Sequence, residues 1–433
     1  MTVTPQKPEN IESPSQPGSQ FDWKNCWYPV TFIQDFPSDR PYSFSIYGEP
    51  LVLFKDQTGK IICLQDRCPH RAAKLSDGQV IEGKIECLYH GWQFGTQGNC
   101  LHIPQLPDTA QIPKAACVPS FVVVEHQGII WVWFGESEKA DPQQIPTVPD
   151  LDQPGLFRVD TVTDLPFDQT YLVENFLDPA HVFISHDQTE YKIKREDAQP
   201  LEMEVMSVSI AGFKGEYRKL GNPQLPWNNV EFIAPYLVTY RFGSLTAFAL
   251  YAVPLTPGRS RVLARRLGNF YDWMFKLKPR WLEHLRQNKV FEEDLYFIQA
   301  QEAYINQSSQ TIKDTYLPLK TSDMLLMEHR KWLDQFGANL PHYQGYSTHK
   351  RTHSSVEVDL SNRFLRHTQI CSSCNRAYHT TQKVKQISVA VAIGLAAIGI
   401  ISDGYLSILT VSTALLAVII AILAQQLKTH FEI

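Results

Sequence analysis

The sequence predicts an α+β protein in three parts: a small all-β domain, a larger domain mixing sheet and helix, and a helical hairpin suited to a membrane. Three observations carry this. Short strand-like runs separated by Gly turns crowd the first third, as where PLVLFKD and KIICLQD flank QTG. The middle holds alternating aromatics (Phe232, Tyr236, Tyr240, Phe242, Phe248, Tyr251) and a long helical pattern, PRWLEHLRQNKVFEEDLYFIQAQEAY. Between Ile387 and Leu427 the only charged residue is Asp403. With 433 residues the chain exceeds one ordinary core. A charged fraction of 20% and a formal net charge of -5 provide no basic surface, so nucleic acid is set aside as a partner.

Taken in order, residues 1–22 are rich in Pro, Ser and Gln without an apolar run, and should be disordered. No secretory signal is visible. The first arginine is Arg40 while Glu9 and Glu12 come early, which argues against an organelle transit peptide and for a prokaryotic or already processed chain. Residues 23–140 form the all-β domain, ending in the hairpin FVVVEHQGIIWVWFG. It carries Cys68 and His70, then Cys87 and His90, each pair expected at a β-hairpin tip. Two facing loops, each offering one thiolate and one imidazole, can grip a [2Fe-2S] cluster of the Rieske type. Zinc also accepts Cys2His2, but zinc fingers keep the cysteines together and the histidines together, whereas C-x-H-x16-C-x2-H-G-W mixes them. Cys26, Cys63, Cys100 and Cys117 lie singly and read as structural.

A one-electron centre needs a second site for bond chemistry, and residues 150–345 offer one. YLVENFLDPAHVFISHD places Asn175, Asp178, His181 and His186 close together, with Asp178 and His181 expected on one helical face and Pro179 bending or ending that helix before His186. Two histidines and a carboxylate form the facial set that leaves positions on mononuclear Fe(II) open. The later helix offers Glu292, Glu293 and Asp294. Asp294 shares the apolar face with Val290, Phe291 and Ile298, while its two neighbours turn toward the polar side, so Asp294 is the expected third ligand. Asn175 and Asp178 complete the expected catalytic constellation.

Residues 346–385 read as a linker holding Cys371 and Cys374, taken as an exposed, redox-active dithiol beside the flexible THKRTHSSVEV; zinc, with His367 and His379, is the alternative. Residues 386–427 read as two membrane helices folded at Ser402-Asp403-Gly404. Arg376, Lys383 and Lys385 before them and Lys428 after them should keep the globular part on the cytoplasmic or stromal side.

From about residue 25 to 430 the chain resembles the Rieske non-haem iron oxygenases, in particular the group of pheophorbide a oxygenase, chlorophyllide a oxygenase and the Rieske subunit of the chloroplast inner-envelope translocon. The resemblance rests on WYPV at 27–30, CPHRAAKLSDG, CLYHGWQF, ENFLDPAHVFISHD, and the late CSSC followed by a hairpin. It implies a helix-grip-type catalytic domain and head-to-tail homotrimers in which Asp178 bridges His90 of one subunit to His181 of the next. It also implies use of O2, a chlorophyll-type tetrapyrrole substrate and thioredoxin as a partner of the dithiol. Opening of pheophorbide a is the first form of the substrate expectation; oxidation of a ring substituent on a protochlorophyllide-like pigment is the second. No G-x-G-x-x-G occurs, so a ferredoxin or separate reductase should supply electrons. The expected place is a thylakoid or plasma membrane of a cyanobacterium. A membrane electron-transfer or redox-sensing subunit without catalysis is the competing class.

Overall fold

The computed structural model describes residues 20–151, 156–190, 193–268, 278–347 and 362–433. Of the stretch expected to be disordered, 1–19 lie outside these residues, as do 348–361 upstream of the dithiol.

Ten strands build the first domain: β1 (Trp27–Phe32), β2 (Tyr42–Ile46), β3 (Glu49–Lys55), β4 (Ile61–Gln65), β5 (Gln79–Ile81), β6 (Lys84–Cys87), β7 (Trp92–Phe94), β8 (Cys100–His102), β9 (Ser120–His126) and β10 (Ile129–Trp133). They form a six-stranded sheet, β1-β10-β9-β4-β3-β2, and a four-stranded sheet, β5-β6-β7-β8. The β9–β10 turn is Gln127-Gly128, both at positive φ, the backbone a two-residue hairpin needs. Val52, Phe54, Leu64, Leu75, Ile85 and Phe94 fill the space between the sheets.

The second domain is one antiparallel sheet of seven strands, ordered β11-β17-β16-β15-β14-β13-β12. These are β11 (Phe157–Leu165), β12 (Leu201–Ser209), β13 (Gly212–Lys219), β14 (Asn228–Ile233), β15 (Leu237–Phe242), β16 (Leu245–Thr256) and β17 (Arg259–Gly268). Around it lie α1 (Gln169–Phe176), α2 (Val182–Ser185), α3 (Arg280–Gln307), α4 (Ile312–Thr315) and α5 (Met324–Phe336). Phe232, Tyr240 and Tyr251 are buried on strands of the sheet, and Tyr236 is buried in the turn between β14 and β15. Their alternation reflects half-buried strands, as period-two spacing does generally.

The two domains share one apolar core. All six residues of β1 are buried, and Trp27, Trp131 and Trp133 join Tyr236, Tyr251 and Val262 in one cluster. Tyr236 Oη donates to the carbonyl of Trp27 at 2.5 Å. Arg261, paired in the interior with Asp164, also donates to the carbonyl of Val30 at 3.2 Å. A buried guanidinium is tolerable only with such partners.

Two apolar helices close the chain, α6 (Ser372–Ile401) and α7 (Gly404–Thr429). At 1.5 Å per residue they extend roughly 39–45 Å, beyond the ~30 Å hydrocarbon core of a bilayer. Ala414, Ala417, Ala421 and Ala424 are buried along one side of α7. Small residues at that spacing let two helices approach closely. Ile400, Ile401, Leu409 and Leu415 stay exposed, a surface suited to lipid. The stretch expected as a linker is not one over residues 362–385. Phe364–Thr368 form a π-helical turn, and α6 begins at Ser372, well before residue 386. Arg363 binds Glu292 of α3 and also donates to the carbonyl of His430, while Phe431 is fully buried. Both ends of the hairpin are therefore fastened to the globular body.

Candidate active site

The first loop, Cys68 to Ser76, joins β4 of the larger sheet to β5 of the smaller one, so it is not the hairpin tip expected. The second, Leu88 to Gly91, is a true hairpin tip, with Cys87 and Trp92 opposite each other in the ladder. Gly91 sits at φ +75°, where an added Cβ would meet Pro104 at 2.8 Å. Only glycine makes this turn without strain. The loops bring the His70 and His90 rings to 4.4 Å between centroids, and Trp92 stacks on His70 at 4.8 Å and 3°. Cys68 and Cys87 are each 2% exposed. Burial, with the second thiol opposite, pushes the Cys68 thiol up to about 11. His70 Nδ1 is buried with no hydrogen-bond partner. A buried ring nitrogen without a partner is a cost that a metal bond removes, so these four residues fit a two-iron cluster.

The second site lies where α1 ends and α3 passes. The α1 helix stops at Phe176, so Asp178 and His181 do not share a helix as expected. Instead Asp178 turns the chain by accepting from the backbone N–H of Ala180 at 2.8 Å and of His181 at 3.2 Å. Such side-chain turns are what Asp does before a short helix. His181 Nδ1 lies 2.6 Å from the carbonyl of Asp178, which can only accept, so the ring donates there and presents Nε2. His186 Nδ1 donates to Glu293 at 3.0 Å and likewise presents Nε2. The two Nε2 atoms reach Asp294 Oδ2 at 3.5 and 3.2 Å. Asn175 Nδ2 adds a hydrogen bond to the same oxygen at 3.2 Å. Burial alone would raise the Asp294 carboxyl, but the two imidazoles hold it well below the usual carboxylate range. His181, disfavoured as a cation by burial, is nevertheless raised to about 10 by Asp178 and Asp294. Two imidazoles and one carboxylate aimed at a single point have the donor set of a facial iron site.

Glu293 is the residue that sequence reasoning misplaced. It was expected on the polar side, yet it holds His186 and is itself held by Thr189 Oγ1 at 2.5 Å. Glu292 departs as well, pairing with Arg363 and Arg366 beneath the hairpin. An outer carboxylate on a ligating histidine is commonly worth about 10–100-fold in metal affinity. Glu293→Ala is therefore expected to weaken iron retention by about that factor, while Glu293→Gln, keeping an acceptor, loses less; dialysis against a graded chelator with iron analysis measures it.

A cleft of ≈ 400 Å³ opens on this site, lined among others by Asn175, Asp178, His181, Phe297, Tyr316 and Leu326. Glu174, which also lines it, forms a buried pair with Arg330 at 2.5 Å. Glu302, two turns past Asp294 on α3, accepts from the N–H of Asp168 at 3.2 Å. Burial and then the Asp168 charge raise Glu302 to about 8. The unfolded chain ionises this group near 4.5 and the folded chain near 8, so its contribution to stability is lost as pH rises across that window. Glu302→Gln should raise the melting temperature at pH 8 by several degrees more than at pH 5, as read by thermal unfolding.

The expectation of an exposed dithiol is overturned. Cys371 and Cys374 are both 0% exposed, one capping α6 and the other in its first turn. His379, offered earlier as a companion, is exposed on that helix.

Known proteins resemble this chain over most of its length. Residues 26–121 match the Rieske [2Fe-2S] domain family and residues 223–311 the pheophorbide a oxygenase family. The chain is 36% identical over 422 residues to the chloroplastic protein TIC 55 of Arabidopsis thaliana, covering 88% of this chain and 78% of that one. It belongs to the Rieske non-haem iron oxygenases, whose members carry a [2Fe-2S] cluster and a mononuclear iron. Within them it stands with the pheophorbide a oxygenase group. It is 30% identical over 465 residues to the chloroplastic pheophorbide a oxygenase of Oryza sativa subsp. japonica, covering 98% of this chain and 86% of the relative. Among solved structures, dicamba monooxygenase bound to dicamba shares the fold, with a TM-score of 0.59 and 23% identity over 72% of this chain and 96% of that one.

Proposed function

We propose that this chain is a membrane-anchored oxygenase that takes electrons from ferredoxin and uses O2 to oxygenate a chlorophyll-type tetrapyrrole. The observation that carries the reading is the convergence of His181, His186 and Asp294, of which His181 and Asp294 line a cleft large enough for part of a big planar ligand. In this reading Cys68, His70, Cys87 and His90 hold the cluster, and His181, His186 and Asp294 hold the mononuclear iron. The cluster supplies single electrons, and the iron supplies open positions for O2 beside the substrate.

The chain's own residues do the positioning. The carbonyl of Asp178 and the carboxylate of Glu293 each accept a hydrogen bond from an Nδ1–H, which keeps both Nε2 atoms directed at one point. Asn175 holds Asp294 in place. The carboxylate of Asp178 lies 3.6 Å from His181 Nδ1 and lines the cleft, a negative charge behind the ring that would hold the iron. At the other end, Leu88 and Tyr89, 58% and 62% exposed, flank His90. Such apolar exposure beside an electron exit suits docking on the next subunit of a homotrimer, with His90 meeting the neighbour's Asp178.

Opening of pheophorbide a is the first form of this proposal, following the relatives of that name. Oxidation of a ring substituent on a protochlorophyllide-like pigment is the second, favoured by 29% identity to the protochlorophyllide-dependent translocon component 52 of Arabidopsis thaliana. The apolar hairpin is the anchor, in a thylakoid, envelope or plasma membrane, with the globular part on the cytoplasmic or stromal side. Thioredoxin leaves the reading, because a sulfur with no exposure presents nothing to an attacking thiolate. The test is incubation of the detergent-solubilised full chain with ferredoxin, its reductase, isotopically labelled O2 and each pigment, followed by mass spectrometry. A pigment gaining labelled oxygen is the expected result. A cluster that cycles between oxidation states while iron-loaded protein makes no product from either pigment would instead mark an electron carrier.

A further inference from the structure

Away from the iron site, four fully buried side chains from three separate segments meet at the root of the hairpin. His284 comes from α3, His367 from the π-helical turn, and Cys371 and Cys374 from the start of α6. Their exposures are 0%, 1%, 0% and 0%, and their ligand atoms all lie within 4.8 Å of one another. His367 Nε2 is 3.2 Å from Cys374 Sγ, and His284 Nδ1 is 3.3 Å from Cys371 Sγ and 3.6 Å from Cys374 Sγ. Arms of 2.0–2.3 Å to a tetrahedral zinc place neighbouring ligand atoms about 3.3–3.8 Å apart, so these separations need little adjustment.

The outward ring atoms decide which nitrogens are free. His367 Nδ1 lies 2.6 Å from the carbonyl of Val162 and His284 Nε2 lies 3.0 Å from the carbonyl of Asp160. A carbonyl only accepts, so both rings are protonated on the far side and present a lone pair inward, toward the sulfurs. Both anchoring carbonyls belong to β11, two residues apart. A backbone acceptor behind each histidine is the arrangement that orients metal-ligating imidazoles. Arg280 adds a donor to Cys371 Sγ at 3.4 Å, suited to a thiolate.

We infer that His284, His367, Cys371 and Cys374 form a closed Cys2His2 site for a structural Zn²⁺. Two thiolates and two neutral imidazoles balance the ion, and binding expels the two thiol protons to solvent with no redox change. The site is a weld. It ties the first turn of α6 to β11 and to α3, the helix that also carries Asp294 ten residues on, and so holds the iron centre at a set orientation to the membrane hairpin.

The test is metal analysis of the full chain, purified in detergent without chelators. About one zinc per chain is expected beside the iron, and cobalt-grown protein should show thiolate-to-cobalt absorption with tetrahedral visible bands. Cys371→Ser with Cys374→Ser should lower zinc at least tenfold while the Rieske spectrum remains. Should that double variant fail to accumulate, thiol alkylation of the unaltered protein decides. Both cysteines should resist alkylation until a zinc chelator is added, as followed by peptide mass spectrometry. Zinc below about a tenth per chain, iron in its place, a Cys371–Cys374 disulfide in the protein as purified, or alkylation indifferent to the chelator would each overturn the site.

Discussion

Asp294→Ala is expected to empty the mononuclear iron site and leave the two-iron cluster intact. In the folded chain Asp294 Oδ2 is the atom on which His181, His186 and Asn175 all converge. Removing it takes away the one carboxylate that faces both Nε2 atoms, while Asp178 and Glu293 remain on the Nδ1 sides of His181 and His186. Loss of a direct ligand should exceed the ~10–100-fold that an outer carboxylate alone is worth, so both iron occupancy and O2-dependent turnover should fall more than about 100-fold. The cluster lies in a different sheet system with its own packing beneath it, and its visible and electron paramagnetic resonance spectra should not change. Iron determination together with those spectra checks the prediction. A variant that keeps the third iron and its activity would remove Asp294 from the ligand set.

Asp178→Asn is the second large effect, and its signature is the opposite. Asn keeps a side-chain oxygen to accept from the N–H groups of Ala180 and His181, and the backbone carbonyl that orients His181 is untouched. Both metal sites should therefore fill. What disappears is the negative charge 3.6 Å from His181 Nδ1 and a group able to take a proton. Turnover is expected to fall by about 10² or more, the range in which a positioned acid–base group acts. Single-turnover measurements should show a cluster that is reduced normally but stays reduced in the presence of iron, O2 and pigment. Fast reoxidation in that experiment would count against Asp178 as the link between the sites.

The chemistry-bearing motifs are local, which is why so much of the site was legible. Cys68, His70, Cys87 and His90 occupy two short loops, and His181 and His186 fall within one turn-rich stretch. That Asp294 turns inward, to face His181 and His186, was legible because an acid on the apolar face of a long helix needs a positive partner. Glu293 was not. Its direction depends on where α2 delivers His186, a long-range fact that helical periodicity in α3 does not contain. The dithiol was misread for the same reason: polar, flexible-looking neighbours suggest exposure, yet burial came from α3 and β11, more than eighty residues upstream.

By itself, then, the sequence determined the family, the fold class, and the apolar hairpin turning near Asp403, because each follows from short-range motifs or composition. Only the tertiary structure decided that the two domains share one core through β1, that α6 starts at the dithiol, and that His284 and His367 face Cys371 and Cys374. Those outcomes depend on which elements pack against which, and packing is set by the complementarity of whole surfaces rather than by any one segment.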